Sequence, residues 1–220
     1  MPTTASSSLE TPFAGLYVLP PSRLPYQVNV LLRSFLIQRP AGNVLVYNSP
    51  ALNSQAKEIQ ELGGATRLLI NHNHEGMYGA PQLGTPTFVH ERDREATARS
   101  MPVAGTFSER AVLDGDIEVI PTPGHTPGST CFLWDSGEHR FLFTGDSVWV
   151  ENGQWKAVVL DPGGRADYLD SLAILRGIDF DVLVPWGVGE ADPYYFEVDE
   201  ADARRRIDAI ISRLRSGGNR

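Results

Sequence analysis

Short apolar runs separated by glycine and proline most limit how this chain can fold. The runs are rich in β-branched, leucine and aromatic residues, as strands are. The 21 glycines and 16 prolines cluster between them and predict tight turns, with hairpins at 39–43 and 135–139. The predicted strands are Gly15–Leu19, Val28–Gln38, Asn43–Tyr47, Arg67–Ile70, Thr87–Val89, Ile117–Ile120, Thr130–Trp134, Phe141–Thr144 and Val182–Val184.

Helical patterns are fewer and alternate with the predicted strands. Ser49-Pro50 predicts the capped start of a helix that ends at Gly63-Gly64, and Glu91–Met101 and Arg165–Ile178 are also predicted helices. Asp199 predicts the start of a last helix. Its core-facing stripe, at i, i+3, i+4 and i+7, is Ile207, Ile210, Ile211 and Leu214. Strands interleaved with helices predict an α/β layered fold.

Composition and charge exclude several classes of protein. Lys and Arg number 19 against 27 Asp and Glu, so the net charge of −8 argues against nucleic-acid binding. The basic run at 204–206 lies in a mixed-charge helix and is expected to face solvent. Hydrophobic residues make up 41% of the chain, enough for a sizeable core. Cys131 is the single cysteine, so no intrachain disulfide can form, and its strand-like surroundings predict burial.

The chain has no apolar run of membrane-spanning length, and its first residues lack the basic and apolar regions of a signal peptide. We therefore expect a cytoplasmic protein that acts on a small-molecule substrate and has neither nucleic acid nor a membrane as a partner. A homodimer is left open. Residues 1–11, which are rich in Ser and Thr, predict a flexible tail, and residues 12–220 predict a single domain.

Three histidines and one aspartate stand at the ends of predicted strands or in the turns between them. His72 and His74 follow the strand at 67–70, with a spacing that places two imidazoles on one face. His125 lies in Pro-Thr-Pro-Gly-His-Thr-Pro-Gly at 121–128, where the prolines and glycines fix the direction of the ring, as a metal ligand requires. Asp146 follows an apolar strand and a glycine. These four residues are the predicted metal ligands.

The order of these motifs resembles that of the metallo-β-lactamase-fold hydrolases. In that family a strand ends in His-x-His-x-Asp-His, and a Gly-His loop, a Gly-Asp after a strand and a late Gly-His follow. The resemblance covers about residues 15–215 and implies a four-layer αββα sandwich with a metal site at one edge, between the two sheets. It also implies that His72, His74 and His125 hold one metal and that Asp146 bridges to a second.

The chain departs from this family pattern at the second metal. Gly76 and Met77 replace the Asp and His of the first motif, and Trp186-Gly187 replaces the late Gly-His. Tyr47-Asn48 stands where many members carry an Asp before a turn. Glycine has no ligand atom in a side chain, and methionine sulfur prefers soft ions. We therefore expect one divalent metal. The carboxylates considered as replacements for the lost ligands are Glu75, Glu190 and Asp192.

Three imidazoles with an open position are typical of catalytic zinc, which lowers the pKa of bound water to about 7. The expected reaction is hydrolysis of an ester, thioester, lactone or amide of a small molecule by a single metal-bound hydroxide. Asp146 would orient the water and accept its proton. The iron alternative uses His72, His125 and Asp146 as a two-His-one-carboxylate set, similar to the persulfide dioxygenases of the same superfamily. The other alternative is a catalytically inactive binding protein.

The remaining histidines and aromatic residues have more ordinary interpretations. His90 is expected at a helix start and His139 in a solvated turn. Trp186 and the aromatic run at 194–196 either wall a substrate pocket or fill the place of the lost second metal.

Overall fold

A computed structural model of the chain describes residues 9–219. The strands among these residues, in chain order, are β1 (Glu10–Phe13), β2 (Leu16–Val18), β3 (Ser22–Leu24), β4 (Gln27–Leu32), β5 (Phe35–Ile37), β6 (Val44–Val46), β7 (Arg67–Leu69), β8 (Thr87–His90), β9 (Gly105–Phe107), β10 (Ala111–Leu113), β11 (Ile117–Pro121), β12 (Thr130–Asp135), β13 (Arg140–Gly145), β14 (Trp149–Glu151), β15 (Gln154–Lys156), β16 (Val182–Pro185), β17 (Gly187–Gly189) and β18 (Phe196–Glu197). A flexible tail was predicted for residues 1–11, of which residues 1–8 lie outside the described part of the chain. Glu10 and Thr11 belong to β1, so the prediction is wrong for these two residues.

The helices of the described residues are α1 (Ala51–Ser54), α2 (Ala56–Glu61), α3 (Arg94–Ala98), α4 (Arg165–Arg176) and α5 (Glu200–Arg215). Three 3₁₀ turns accompany them at Asn73–Tyr78, Glu91–Asp93 and Pro162–Gly164. Within residues 9–219, no helix combines the length and the apolar character needed to cross a membrane.

The strands form three sheets within the described part of the chain. The first has the order β1-β2-β5-β6-β7-β8-β9, the second β10-β11-β12-β13-β16-β18, and the third β15-β14-β17-β4-β3. Strands β6 to β9 run parallel to one another, and β13 runs parallel to β16. The carboxyl ends of such parallel strands are where α/β proteins place their functional loops.

The central strands of the two large sheets are covered on both faces and are apolar at successive positions. In β6, Val44 and Val46 pack in the core between the sheets, whereas Leu45 packs with residues of α1 and α2. In β13, Phe143 faces the core between the sheets and Leu142 packs with residues of α4 and α5. The layers therefore run helix, sheet, sheet, helix, which confirms the predicted αββα sandwich.

The run predicted as one strand over Val28–Gln38 is two strands in different sheets. Strand β4 pairs with β3 and β17, and β5 pairs with β2 and β6. The chain crosses between the sheets at Arg33, whose N–H donates to the Trp186 carbonyl, and at Ser34, whose carbonyl accepts from Leu19 N–H. Strand β5 is buried throughout, whereas β4 has exposed residues at 28 and 29, and the polar pair Arg33-Ser34 separates the two strands.

The helix predictions are confirmed in the last two helices and are less accurate earlier. Asp199 caps α5 by accepting from Asp202 N–H at 2.8 Å, and the predicted apolar stripe of α5 is buried. The predicted cap at Ser49 is wrong: its hydroxyl lies 2.8 Å from that of Ser34. The helix predicted after it is interrupted at Gln55, and that predicted over 91–101 begins as a 3₁₀ turn.

The buried hydroxyl of Tyr47 joins the two large sheets where β6, β13 and β16 end. It donates to the Val184 carbonyl at 2.8 Å and accepts from Gly145 N–H at 2.7 Å. Tyr47 is fully buried and has a left-handed backbone with φ of 68°, which is sparsely populated for residues other than glycine. This backbone turn ends β6 and directs the ring between the sheets.

Substitution Tyr47→Phe should lower the free energy of unfolding by about 1–3 kcal/mol, because it removes both hydrogen bonds of a buried hydroxyl and unpairs their partners. Urea unfolding followed by circular dichroism measures this. The matched control is Tyr17→Phe, which removes an exposed hydroxyl contact with Gln38 and should change stability by less than about 0.5 kcal/mol. Equal effects of the two substitutions would contradict a stabilising role for the Tyr47 bridge.

Candidate metal centre

His72 and His74 converge because the chain turns sharply after β7. His72 is still extended, with φ of −158° and ψ of 165°, and His74 lies in the first residues of the 3₁₀ turn Asn73–Tyr78. Their ring centroids are 5.0 Å apart and nearly perpendicular. The sequence analysis predicted the convergence from strand alternation, but the turn produces it.

His125 comes from the proline- and glycine-rich loop between β11 and β12, and Asp146 from the end of β13. Nε2 of His125 lies 3.1 Å from Nδ1 of His74. Oδ2 of Asp146 lies 3.5 Å from Nε2 of His125 and 3.5 Å from Nε2 of His72. The structure therefore brings together all four residues predicted as metal ligands.

The spacing of these donor atoms fits one metal ion. Ligand atoms arranged tetrahedrally at 2.0–2.1 Å from zinc are separated by about 3.3–3.4 Å, which is close to the 3.1–3.5 Å between the facing atoms here. His72 Nε2 is buried and has no hydrogen-bond partner among the described residues. An unpaired buried nitrogen costs about 1–3 kcal/mol, and coordination of a cation would remove this cost.

Burial keeps two of the imidazoles, those of His72 and His74, in the neutral form that binds metal. Burial lowers the pKa of His72 well below its ordinary value, and the His125 and His74 rings lower it further. Burial also lowers the pKa of His74, with a further contribution from His125. Burial raises the pKa of Asp146, whereas His125 lowers it. Neutral imidazoles beside a carboxylate are the ligand forms required for a divalent cation.

Hydrogen bonds at the far side of two rings direct specific nitrogens toward the centre. His125 Nδ1 lies 2.8 Å from the Val158 carbonyl and His72 Nδ1 lies 3.0 Å from Asn71 Oδ1, so both rings donate from Nδ1 and present Nε2. Asn71 in turn donates to the Thr130 and Thr144 carbonyls. Gly145 leaves the space for Asn71, since an added Cβ would lie 2.0 Å from the amide.

The carboxylate of Asp93 joins the two loops that carry histidines. Its Oδ2 accepts from Asn73 N–H at 2.9 Å and from the Thr126 hydroxyl at 2.6 Å, and its Oδ1 accepts from Gly128 N–H at 2.9 Å. Asp93 is 1% exposed. One carboxylate thus fixes the residue between His72 and His74 and the residue after His125. Asp93 was not among the predicted site residues, because the groups that it accepts from lie far along the chain.

At two positions where the family resemblance places second-metal ligands, glycine packs closely against neighbouring side chains. An added Cβ at Gly76 would lie 2.6 Å from Ser100 Oγ, and one at Gly187 would lie 3.2 Å from Leu32 Cδ2 and 3.3 Å from Val30 Cγ1. The Trp186 indole donates to the Asn48 carbonyl at 3.1 Å and packs edge-on against His72, with centroids 5.3 Å apart. Trp186 therefore forms a wall of the site, which is one of the two roles predicted for it.

The carboxylates considered as replacement ligands are engaged elsewhere. Glu75 is fully buried and accepts from the backbone N–H groups of Asn71 and Asn48 at 2.6 and 2.7 Å. Glu190 is paired with Arg23, and Asp192 accepts from the backbone N–H groups of residues 152 and 153. None of the three lines the pocket described below.

The other histidines and the aromatic run at 194–196 lie away from the centre. His90 caps the 3₁₀ turn Glu91–Asp93, as expected for a structural histidine. His139 lies in the turn between β12 and β13, partly exposed, and packs edge-on against Phe13. Tyr194 and Tyr195 contact Phe35 and Phe13, so they belong to the protein core and do not wall the site.

A pocket of about 660 Å³ opens onto the centre. His74, His125 and Asp146 line its floor, and most other lining residues are apolar. Enzyme sites are commonly mostly apolar pockets of this size with a few converging polar groups. The pocket gives a small molecule access to the four converging side chains.

Solved structures share this fold at low sequence identity. A metallo-β-lactamase from Pontibacter korlensis is 17% identical with a TM-score of 0.68, and the match covers 94% of this chain and 98% of that one. A metallo-β-lactamase family protein from Thermus thermophilus is 21% identical with a TM-score of 0.65, covering 93% and 80%. For GOB-18 from Elizabethkingia meningoseptica the identity is 18%, the TM-score 0.60 and the coverage 86% and 88%.

Sequence comparison with curated proteins gives no significant match. The family model of the metallo-beta-lactamase superfamily matches residues 62–188, a segment that includes His72, His74, His125 and Asp146 and more than half of the chain. Family model, fold and histidine cluster agree. The chain belongs to the metallo-β-lactamase superfamily.

Proposed function

We propose that the protein is a mononuclear metal-dependent hydrolase of small molecules with an ester, thioester, lactone or amide bond. The observation that supports it most is the convergence of His72 Nε2, His74 Nδ1, His125 Nε2 and Asp146 Oδ2 at the floor of a pocket. Zinc is the expected metal, because three neutral imidazoles and a carboxylate suit it.

The residues of the centre have different roles in the proposed hydrolysis. His72, His74 and His125 would hold the ion, and zinc, when bound, lowers the pKa of water to about 7 and polarises a carbonyl. Asp146 faces the pocket and accepts a proton from the attacking water, whose oxygen adds to the carbonyl carbon. The carbon–oxygen, carbon–sulfur or carbon–nitrogen bond then breaks, and the leaving group takes up the proton. Trp186 and the apolar walls exclude bulk water.

An iron enzyme is the second candidate, favoured by one specific observation. Asp146 Oδ2 is equally distant, at 3.5 Å, from the facing nitrogens of His72 and His125, as in a two-His-one-carboxylate triad. In that case Asp146 is a ligand and His74 is dispensable for binding. Elemental analysis of protein purified without added metal separates the two candidates. A centre without any metal favours a binding protein.

Titration of apo-protein with zinc should saturate near one equivalent, because the residues at the second-metal positions are apolar or lack side chains. The variant Gly76→Asp/Met77→His should also bind one equivalent, since a Cβ at residue 76 points toward Ser100. Isothermal titration calorimetry measures both stoichiometries. Two tight equivalents in the wild type would show that other carboxylates rebuild the second site.

Single substitutions should distinguish ligands from the proton acceptor. His125→Ala removes one of three imidazoles and should lose metal. Asp146→Asn should keep most of its metal but lose turnover by about 10²–10⁴-fold, as expected for a missing general base. His139→Ala is the matched control outside the centre and should retain both its metal and its turnover. Loss of metal from Asp146→Asn but not from His74→Ala would support the iron candidate.

Asp93→Asn should weaken zinc binding by about 10- to 100-fold, the effect typical of residues that orient ligands. The amide cannot accept from all three donors that Asp93 serves, so the two histidine loops lose their link. Competition with a chromogenic chelator measures the affinity. Asp192→Asn, which alters a carboxylate that accepts from two backbone N–H groups in an exposed turn, should leave it unchanged.

A further inference from the structure

Apart from His74, His125 and Asp146, the residues that line the pocket above the centre are mostly apolar, with Gln27 and Asn73 as the exceptions. Leu24, Val30 and Leu32, from the hairpin of β3 and β4, form one wall, and Trp186 forms another. The apolar character is not limited to the buried walls, because it continues at the rim, where side chains reach solvent. At the rim, Tyr26 is 72% exposed and Leu160 is 58% exposed.

Exposed apolar side chains are concentrated at this rim. Among the described residues, the large hydrophobic side chains that are exposed are Tyr26, Val28, Met77, Val112, Leu160 and Ile174. Three of them, Tyr26, Met77 and Leu160, line the pocket, and Val28 is a neighbour in the same hairpin. A cluster of this kind around a cleft marks a surface that binds apolar ligands.

Away from the proposed metal, the described lining residues supply no lysine or arginine to pair with an anionic group at the far end of a substrate. Within residues 9–219, Asp146 is the only carboxylate that lines the pocket. Arg23, in the wall hairpin, is paired with Glu190 and donates to the Val28 carbonyl. Lys156, near the lining residue Trp149, is paired with Glu151 at 2.7 Å. Burying a substrate carboxylate against these walls would cost free energy without a compensating charge pair.

We propose that the pocket selects an uncharged carboxylic ester or thioester with an extended apolar chain, which lies against the β3–β4 hairpin and passes Met77 and Leu160 toward solvent. This inference rests on the proposed hydrolase function. It places the reacting carbonyl of the substrate on the floor at Asp146 and the apolar chain of the substrate against the apolar wall. It also predicts discrimination against an otherwise equal substrate whose chain ends in a carboxylate.

The test compares p-nitrophenyl esters from acetate to octanoate on zinc-loaded protein, together with the p-nitrophenyl monoester of adipate. Values of kcat/KM should rise about threefold for each added methylene until the wall is covered, since burial of a methylene is worth about that factor. The hexanoate should exceed the adipate ester of equal length by about tenfold or more, because the latter ends in a carboxylate.

A substitution at the rim tests whether the missing positive charge causes the discrimination against the adipate ester. Leu160→Lys places a cation at the pocket and should shift the hexanoate-to-adipate ratio by about fivefold toward adipate, as expected for a partly exposed charge pair. Val112→Lys is the control, because Val112 is 60% exposed and does not line the pocket. It should leave the ratio unchanged.

Failure of this inference can be told from failure of the hydrolase proposal. Turnover that depends on His125 and Asp146 but is indifferent to chain length and to the terminal carboxylate would overturn the substrate class alone. If no ester is turned over, the pocket assignment is tested by binding of the unreactive ketones 2-butanone to 2-octanone. Binding is followed by tryptophan fluorescence, to which Trp149 and Trp186 of the pocket contribute. Affinity that rises with chain length supports the pocket assignment without the activity, and chain-independent binding overturns it.

Discussion

The buried hydroxyl of Tyr47 is the interaction on which the geometry of the centre depends. It fixes the end of β6 to Gly145 and Val184, at the ends of β13 and β16. Asp146 directly follows the first of these strands, and Trp186 directly follows the second. The hydroxyl therefore sets the separation of the two sheets at the edge where the ligand side chains meet. A shift of one sheet there would move Asp146 relative to the histidines of the other loops.

The four converging residues could be predicted from the sequence because their signals are local. His72 and Asp146 come directly after apolar strands, and the proline and glycine residues around His125 mark a rigid loop. The residues that orient them could not be found in this way. Asn71 and Asp93 act on backbone groups far along the chain, at Thr144 and Gly128. Such contacts exist only once β12 and β13 have brought those segments together.

The fold was predictable to the level of layers and less so in detail. Apolar strands interleaved with helical segments predict a layered α/β sandwich, and the last helix has a clear amphipathic pattern. Strands β14, β15 and β17 were among those not predicted, because glycine and polar residues interrupt the apolar pattern there. The break was missed although the polar pair Arg33-Ser34 interrupts the apolar run, and the hydrogen bond from Arg33 N–H to the Trp186 carbonyl holds the chain where it changes sheets.

The departures from the family's second-metal motif and the apolar wall of the pocket fall at the same positions of this chain. Met77 and Gly187 stand where the family resemblance places histidine ligands, and both line the pocket beside Trp186. A cation at that position would need polar ligands, and these would interrupt the apolar wall. Their replacement by a thioether and a glycine packed on Val30 and Leu32 leaves one side of the centre open to an uncharged chain. Among the described residues that line the pocket, His74, His125 and Asp146 carry the imidazole and carboxylate groups, so the geometry favours a polar group of a bound molecule beside them and an apolar group against the wall.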